Sequence, residues 1–279
     1  MLDQVTITIL SENRVENPLL IAEPGLSMHI SSPEAELLFD TGLRDAFLRN
    51  AEQLKIDLAK VEKIMFSHGH YDHTGGLYYY LKKYGKATVI CHYNIFNRKF
   101  RIIDDVKLEV GIPQEKSELT KLGATFEFHA HPYNFSENIL SSGEIPRITD
   151  YEVPDEIHQE LSLESYITDE LHDDMALILK TSKGLIILLG DSHSGPVNTM
   201  KHAMNLTGIK EVYAVMGGMN LSEASTKKIE HIVKGFEQIN PRYVVPLHST
   251  GFRATNMLYE LFRERMLLLN TGDKLTLDL

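Results

Sequence analysis

The chain has 279 residues, 43% of them hydrophobic, which is enough to build a large buried core in one or two domains. Its formal net charge of −11 argues against a nucleic acid as partner, because phosphate backbones bind to positive surfaces. No run of about 18 apolar residues is present, so we expect no membrane span. The single cysteine, Cys91, excludes an internal disulfide, and the first residues lack the features of a secretory signal, so a cytoplasmic protein is expected.

The first elements of the chain are predicted from short apolar patterns. Residues 5–10 alternate apolar and hydroxyl side chains, as a half-buried strand does. Residues 36–42 form an apolar run that ends in a polar turn at Asp40. This carboxylate is either a simple turn residue or the acceptor for the second N–H of a metal-bound imidazole. Helical spacing of apolar side chains predicts a helix over 45–54.

The segment 67–77 reads Ser-His-Gly-His-Tyr-Asp-His-Thr-Gly-Gly-Leu and places three imidazoles and one carboxylate within six positions. Zinc and similar divalent ions prefer these ligand types. The candidate ligands are His68, His70, Asp72 and His73. A short apolar strand at 64–66 precedes the motif, and helical spacing begins at Leu77. Solvated loop histidines are the alternative, and the glycines that let the backbone fold around an ion argue against it.

A buried strand is expected at 87–91, and the regular pattern then breaks down between about 93 and 169. We interpret this segment as an elaboration beside the core, where substrate selection is often found. Its histidines and Arg147 have no ligand spacing and are expected to be structural or solvated. The histidines concerned are His92, His129 and His131.

The second half repeats the order of strand, ligand-type residues and helix. Two apolar strands, 175–180 and 185–190, are joined by a hairpin turn, and a helical pattern follows the second. Because an antiparallel hairpin places the start of its first strand beside the end of its second, His172 should lie near Asp191 and His193. Either histidine could complete the shell of a first metal ion.

A last candidate ligand comes late in the chain. After a strand at 211–216 and a helix from Ser222 to about Ile239, a strand at 243–247 delivers His248 at its carboxyl end, where ligands bind in open α/β sheets. The backbone of the turn that follows is a candidate site for an anionic group. This turn consists of Ser249, Thr250 and Gly251.

The His-x-His-x-Asp-His pattern resembles the signature of the metallo-β-lactamase fold superfamily. The resemblance implies an α/β protein with a four-layer αβ/βα sandwich, here a single domain over 1–279. In that superfamily the first two histidines bind one metal ion, and the aspartate and third histidine bind a second. In this chain His68 and His70 would serve the first ion, and Asp72 and His73 the second.

Further segments narrow the resemblance to the dihydropterin synthase-like branch, named for 7,8-dihydropterin-6-methyl-4-(β-D-ribofuranosyl)aminobenzene-5′-phosphate synthase activity. They span nearly the whole chain and comprise residues 23–27, 38–42, 68–77, 143–147, 173–177, 190–195 and 248–251. By this resemblance His193 and His248 are ligands. The chain departs from the branch at four positions. Asp191 and Ser249 stand where cysteine is usual, and Pro24 and Asn220 stand where histidine is common.

Asp191 instead matches the glycine-aspartate of the general hydrolases, which bridges two metal ions. The resemblance implies a metal-dependent hydrolase or transferase with two divalent transition-metal ions, zinc first and manganese or iron as alternatives. Two ions would share a water, lower its pKa toward about 7 and polarise a phosphoryl or carbonyl oxygen, with Asp72 and Asp191 as the catalytic carboxylates. The expected substrate is small and anionic, a phosphate ester or phosphorylated pterin precursor. A thioester or lactone hydrolase and a regulatory metal-binding protein without turnover are the alternatives.

Overall fold

The protein is described by a computed structural model covering residues 1–278. The strands, in chain order, are β1 Gln4–Ser11, β2 Ser27–Ser31, β3 Glu36–Phe39, β4 Lys63–Met65, β5 Ala87–Cys91, β6 Lys99–Ile103, β7 Val106–Glu109, β8 Ala124–Phe128, β9 Ile139–Ser141, β10 His158–Ser162, β11 Ser165–Thr168, β12 Leu177–Thr181, β13 Gly184–Leu189, β14 Val212–Gly217, β15 Tyr243–Pro246 and β16 Lys274–Asp278. The α-helices are α1 Ala46–Gln53, α2 Tyr71–Thr74, α3 Leu77–Tyr84, α4 Lys116–Lys121, α5 Pro196–Thr207, α6 Thr226–Ile239 and α7 Phe252–Phe262.

Two large sheets organise these elements. The first has the strand order β16-β1-β2-β3-β4-β5-β8, and the second has the order β15-β14-β13-β12-β9. In the first sheet β3, β4, β5 and β8 run parallel, and in the second β13, β14 and β15 do. Parallel strands are normally buried on both faces, which agrees with the continuous apolar sequences of β13 and β14.

Apolar side chains fill three separate layers. One buried cluster lies between the sheets and includes Ile7 of β1 and Leu188 of β13. A second packs the outer face of the second sheet against α5, α6 and α7, with Phe236 among its members. A third packs the first sheet against α1 and α3 around Phe47. The result is a helix–sheet–sheet–helix sandwich, which confirms the predicted fold class.

The segment 93–169 contributes to both large sheets as well as forming a sheet of its own. Strand β8 extends the first sheet beside β5, and β9 extends the second beside β12. The remaining strands form a four-stranded antiparallel sheet in the order β11-β10-β6-β7, which we call the accessory sheet. Interpreting the whole segment as an elaboration was therefore wrong for β8 and β9, which are too short for their apolar pattern to show which sheet they join.

Several element boundaries also differ from expectation. Helix α6 begins at Thr226 rather than Ser222, because the Ser225 hydroxyl accepts a hydrogen bond from the Lys228 backbone N–H and caps the helix there. No helix within residues 1–278 is long and apolar enough to cross a bilayer.

Candidate metal centre

The carboxyl ends of four strands meet at one edge of the sandwich. Strand β3 ends just before Asp40, and β4 leads into the metal-ligand loop, residues 67–76. On the opposite sheet, β13 leads to Asp191 and β15 to His248. Sites in α/β proteins form at this end of the strands, so local sequence and sheet topology together place the candidate ligands in one region.

The backbone of the metal-ligand loop is tightly enclosed. His68 and His73 are fully buried, and His70 is buried almost as completely. A Cβ atom on Gly69 would lie 2.4 Å from the backbone oxygen of Ile95, so only glycine fits between His68 and His70.

Asp40 holds both ends of this loop. Its carboxylate accepts hydrogen bonds from the backbone N–H and the hydroxyl of Ser67, at 2.7 and 2.6 Å, and lies 2.7 Å from Nδ1 of His73. Burial opposes the charged imidazole, but the Asp40 carboxylate raises the pKa of His73 to about 10. The structure therefore places Asp40 where a carboxylate orients a ligand imidazole, and Nε2 of His73 is left to face the other candidate ligands.

Two groups of ligand-type side chains lie in this region. In the first ligand cluster the ligand atoms all lie within 4.8 Å of one another, and its members are His68, His70, Asp191 and His193. The second ligand cluster meets the same distance and consists of Asp72, His73 and His248. In the second cluster Nε2 of His248 lies 3.3 Å from Oδ2 of Asp72 and 3.3 Å from Nε2 of His73.

Asp191 lies between the clusters. Its Oδ1 is 3.3 Å from Nε2 of His248, and its Oδ2 is 3.9 Å from Nε2 of His68 and 3.5 Å from Nε2 of His193. Burial opposes ionisation, but the surrounding imidazoles hold the pKa of the Asp191 carboxyl well below its usual range. One carboxylate is therefore within reach of both groups and carries a negative charge.

The first cluster fits a divalent cation. The Nε2 atoms of His68, His70 and His193 are buried and have no hydrogen-bond partner within residues 1–278. Leaving a buried polar atom unpaired costs about 1–3 kcal/mol, so three together indicate a missing partner. Burial, reinforced by neighbouring imidazoles, lowers the pKa values of His68 and His70 well below 6.5, and a neutral imidazole is the form that binds metal.

A buried ion-pair network supports the loop from the accessory sheet. Nζ of Lys99, on β6, donates to Asp169 at 2.8 Å and to Asp173 at 2.9 Å. The other oxygen of Asp173 accepts the Gly69 N–H at 2.8 Å. Burial favours the neutral amine, but the two carboxylates raise the pKa of Lys99. The network fixes the backbone between two candidate ligands.

Neutral side chains make hydrogen-bond contacts with the side chains of the candidate ligands on the second sheet. Oδ1 of Asn13 lies 2.8 Å from Nδ1 of His248, and Nδ2 of Asn220 lies 3.2 Å from Nδ1 of His193. The hydroxyl of Ser249 donates to Asp191. Ser249 therefore contacts a candidate metal ligand directly. Thr250 is buried with its hydroxyl on the Leu247 carbonyl.

Gly251 is not among the residues that line the cavity over the two ligand clusters. It lines a separate cavity, bordered by Arg14 and Phe252, on the other side of His248. A role for Ser249, Thr250 and Gly251 in binding substrate remains a prediction.

His172 lies apart from both ligand clusters. The hairpin forms as expected, with Leu177 opposite Leu188, and Asp174 accepts the Ser194 N–H at 2.7 Å. Asp173 and Asp174 point inward, whereas His172 is exposed. His193 is the histidine that lies beside His68 and His70.

A cavity of about 510 Å³ opens over the two clusters. Its walls include Asp72, Asp191 and His248 on one side and the accessory sheet on the other. His158 of β10 stacks on His70 at 5.4 Å between ring centroids, and its Nδ1 lies 2.6 Å from Asp155. Sequence reasoning missed His158 and Lys99, because neither shows ligand spacing and only the docking of the accessory sheet brings them to the site.

The layered fold and the histidine–aspartate centre at the strand ends define a metal-binding protein of the α/β sandwich class. A sequence profile described as the metallo-beta-lactamase superfamily matches residues 21–165, and the chain belongs to that superfamily. The predicted family is thereby confirmed.

Individual relatives agree with this assignment. The chain is 31% identical to 7,8-dihydropterin-6-methyl-4-(beta-D-ribofuranosyl)-aminobenzene-5'-phosphate synthase of Methanocaldococcus jannaschii, over 97% of this chain and 96% of the relative. It is 33% identical to an uncharacterized protein of the same organism, over 86% of this chain and 89% of the relative. The crystal structure of Tm1679, described as a metal-dependent hydrolase of the beta-lactamase superfamily, has a TM-score of 0.84 at 27% identity, covering 97% of this chain and 98% of that one.

Proposed function

We propose that this protein is an enzyme that uses two divalent metal ions to act on a small anionic substrate, with a phosphate ester or phosphorylated pterin precursor as the leading class. The observation that carries this proposal is the pair of ligand clusters with the Asp191 carboxylate between them. A purely structural role for these histidines does not account for three buried imidazole nitrogens without partners in the described chain.

In the proposed assignment each cluster holds one ion. His68, His70 and His193 would bind the first, and Asp72, His73 and His248 the second. Asp191 would contact both, as its position between the clusters suggests. The nitrogen and oxygen donor set suits zinc and also accepts manganese or iron.

When bound, two such ions lower the pKa of a water molecule and polarise a phosphoryl or carbonyl oxygen. The chain itself provides positioning. Asp40 orients His73 through Nδ1, Asn13 orients His248, and Ser249 holds one oxygen of Asp191 by a hydrogen bond. Asp72 and Asp191 would supply negative charge for the cations, and the accessory sheet forms one wall of the cavity.

The substrate class rests on the relative whose name describes a synthase of a phosphorylated dihydropterin compound. Since that relative is a synthase and Tm1679 is described as a hydrolase, group transfer and hydrolysis are both compatible with the site. A thioester or lactone hydrolase would use the same ligands on a carbonyl group.

Metal analysis followed by a substrate screen tests the proposal. We expect up to two zinc, manganese or iron ions per chain and turnover of a phosphomonoester or phosphodiester that stops on chelation and returns when metal is restored. The His68→Ala variant should lose both metal and turnover, and His129→Ala, outside the ligand clusters, should keep both. Turnover of only thioesters or lactones would contradict the substrate class, and a protein without metal that no ion activates would contradict the function.

A further inference from the structure

Arg101 projects from the accessory sheet toward the metal centre. It lies on β6 directly opposite His158 of β10, and both residues line the cavity over the ligand clusters. His158 in turn stacks on His70, a candidate ligand. This register places a guanidinium on the wall that faces the candidate metal ions.

The guanidinium has donor capacity that the protein does not use. Nε of Arg101 is buried and has no hydrogen-bond partner in residues 1–278, whereas Nη2 pairs with the exposed carboxylate of Glu223. The carboxylate of Glu109, also in the cavity wall, is held by Arg98 through two hydrogen bonds of 2.8 and 3.0 Å. Among the described cavity-lining side chains, Arg101 is the one lysine or arginine.

An apolar strip lies next to this cation. Ile103 and Leu108, on β6 and β7, line the same cavity and are 42% and 45% exposed. Tyr71 also lines this cavity. Burial and the charge of Asp72 raise the pKa of Tyr71, and the charge of Arg101 lowers it. The cavity wall therefore combines a cation with unsatisfied hydrogen-bonding capacity and an exposed apolar surface. A ligand with a phosphate group on an apolar body would satisfy both.

We infer that Arg101 is a substrate-binding residue whose guanidinium holds the phosphate group of the substrate, while Ile103 and Leu108 contact the apolar part. This assignment deepens the proposed function and depends on it for the phosphate. The ion pair with Glu223 holds the Arg101 guanidinium in place, so the guanidinium is positioned before substrate binds.

Calorimetric titration of metal-loaded protein with phenyl phosphate tests this role, with metal content measured for each variant. Loss of a charged hydrogen-bond donor in Arg101→Met should weaken binding about 10- to 100-fold at unchanged metal content. Arg101→Lys should recover part of the affinity, since it keeps the charge but not the planar donor edge. The matched control is Arg49→Met, because Arg49 pairs with Asp45 on the surface of α1 and should leave binding unchanged.

Two further ligands, inorganic phosphate and benzoate, test the apolar contact and the phosphate contact separately. Leu108→Ser should weaken phenyl phosphate but not inorganic phosphate, because only the former has an apolar body. Benzoate, a carboxylate of similar shape, should bind more weakly than phenyl phosphate and depend less on Arg101. Equal binding and equal dependence for benzoate would show that the subsite does not select phosphate.

The outcomes distinguish this role from the proposed function. If Arg101→Met keeps full metal and binds phenyl phosphate as the wild type does, Arg101 is not a substrate-binding residue, and metal-dependent function is unaffected. If the wild type holds no metal, the proposed function fails, and titration of that metal-free protein still reports on Arg101. A wild type that binds neither phosphate ligand in either state refutes the subsite.

Discussion

The ligand imidazoles on the two sides of the metal centre have different hydrogen-bond partners. On the first sheet, the metal-ligand loop is fixed by charged groups, with Asp40 on Ser67 and His73 and the Lys99 network on Gly69. On the second sheet the imidazoles of His193 and His248 contact the neutral amides of Asn220 and Asn13. Carboxylates hold the backbone there too, since Asp174 accepts the Ser194 N–H and Glu12 accepts the His248 N–H. Hydrogen bonds with a charged partner are roughly twice as strong as neutral ones. The contrast therefore lies in the partners of the ligand imidazoles, which are a carboxylate for His73 and neutral amides for His193 and His248.

Three of the four departures from the dihydropterin synthase-like branch lie on one side of the metal centre, and the fourth, Pro24, precedes β2 of the first sheet. Asp191, Ser249 and Asn220 all lie on the second side, and Ser249 donates a hydrogen bond to Asp191. The two positions where cysteine is usual in that branch thus contact each other in this chain, as a carboxylate and a hydroxyl donor. In contrast, the His-x-His-x-Asp-His motif, which follows β4 of the first sheet, matches the superfamily pattern at every position.

The largest expected effect comes from removing a ligand on the second side. We expect His193→Ala to lose the first metal ion, because its Nε2 lies among the ligand atoms of the first cluster, and His172→Ala to retain it, because His172 is exposed. Metal content and melting temperature of the two variants provide the test. Loss of metal in His172→Ala with retention in His193→Ala would reverse the assignment and make His172 the ligand.

A smaller effect is expected from breaking the Lys99 ion-pair network on the first side. Lys99→Met leaves Asp169 and Asp173 buried without their cation, which should lower the free energy of unfolding by about 3–5 kcal/mol. Urea denaturation of chelator-treated protein measures this change without a contribution from bound metal. Lys83→Met, which breaks a surface pair with Glu52, is the control and should cost about 0–1 kcal/mol. Equal losses in the two variants would show that the network does not stabilise the loop.

The smallest effect concerns pH and needs metal-free protein. The carboxylates of Asp40, Asp72 and Asp191, with Asp40 contributing most, raise the pKa of His73 from 6.5 to about 10. The stabilisation of the folded state by these carboxylates is therefore complete below pH 6.5 and is lost as the pH rises toward 10. The melting temperature of chelator-treated wild type should therefore fall across this range, and the fall should be smaller in Asp40→Asn. Asn13→Ala, which removes the neutral partner of His248, should keep the wild-type slope. An unchanged slope in Asp40→Asn would show that this ion pair does not form.

The sequence alone determined the family, the four-layer fold class and the candidate ligands of the metal-ligand loop. Those ligands fall within six consecutive residues, so their spacing and chemistry could be recognised without knowing the fold. Strand patterns also predicted which residues follow β13 and β15, and rules for α/β sheets placed those strand ends at the same edge. The roles of these residues as ligands remain predictions for metal analysis.

Only the tertiary structure decided how the site is supported and covered. Asp173 and Gly69 are 104 residues apart, and Asn13 and His248 are 235 apart, so no local pattern could join them. Arg101 and His158 face the cavity because β6 pairs with β10 in one register, and a shift of one residue would place the two side chains on opposite faces of the sheet. Local spacing specifies groups on one loop, whereas contacts between distant segments depend on strand pairing and packing that the whole chain determines.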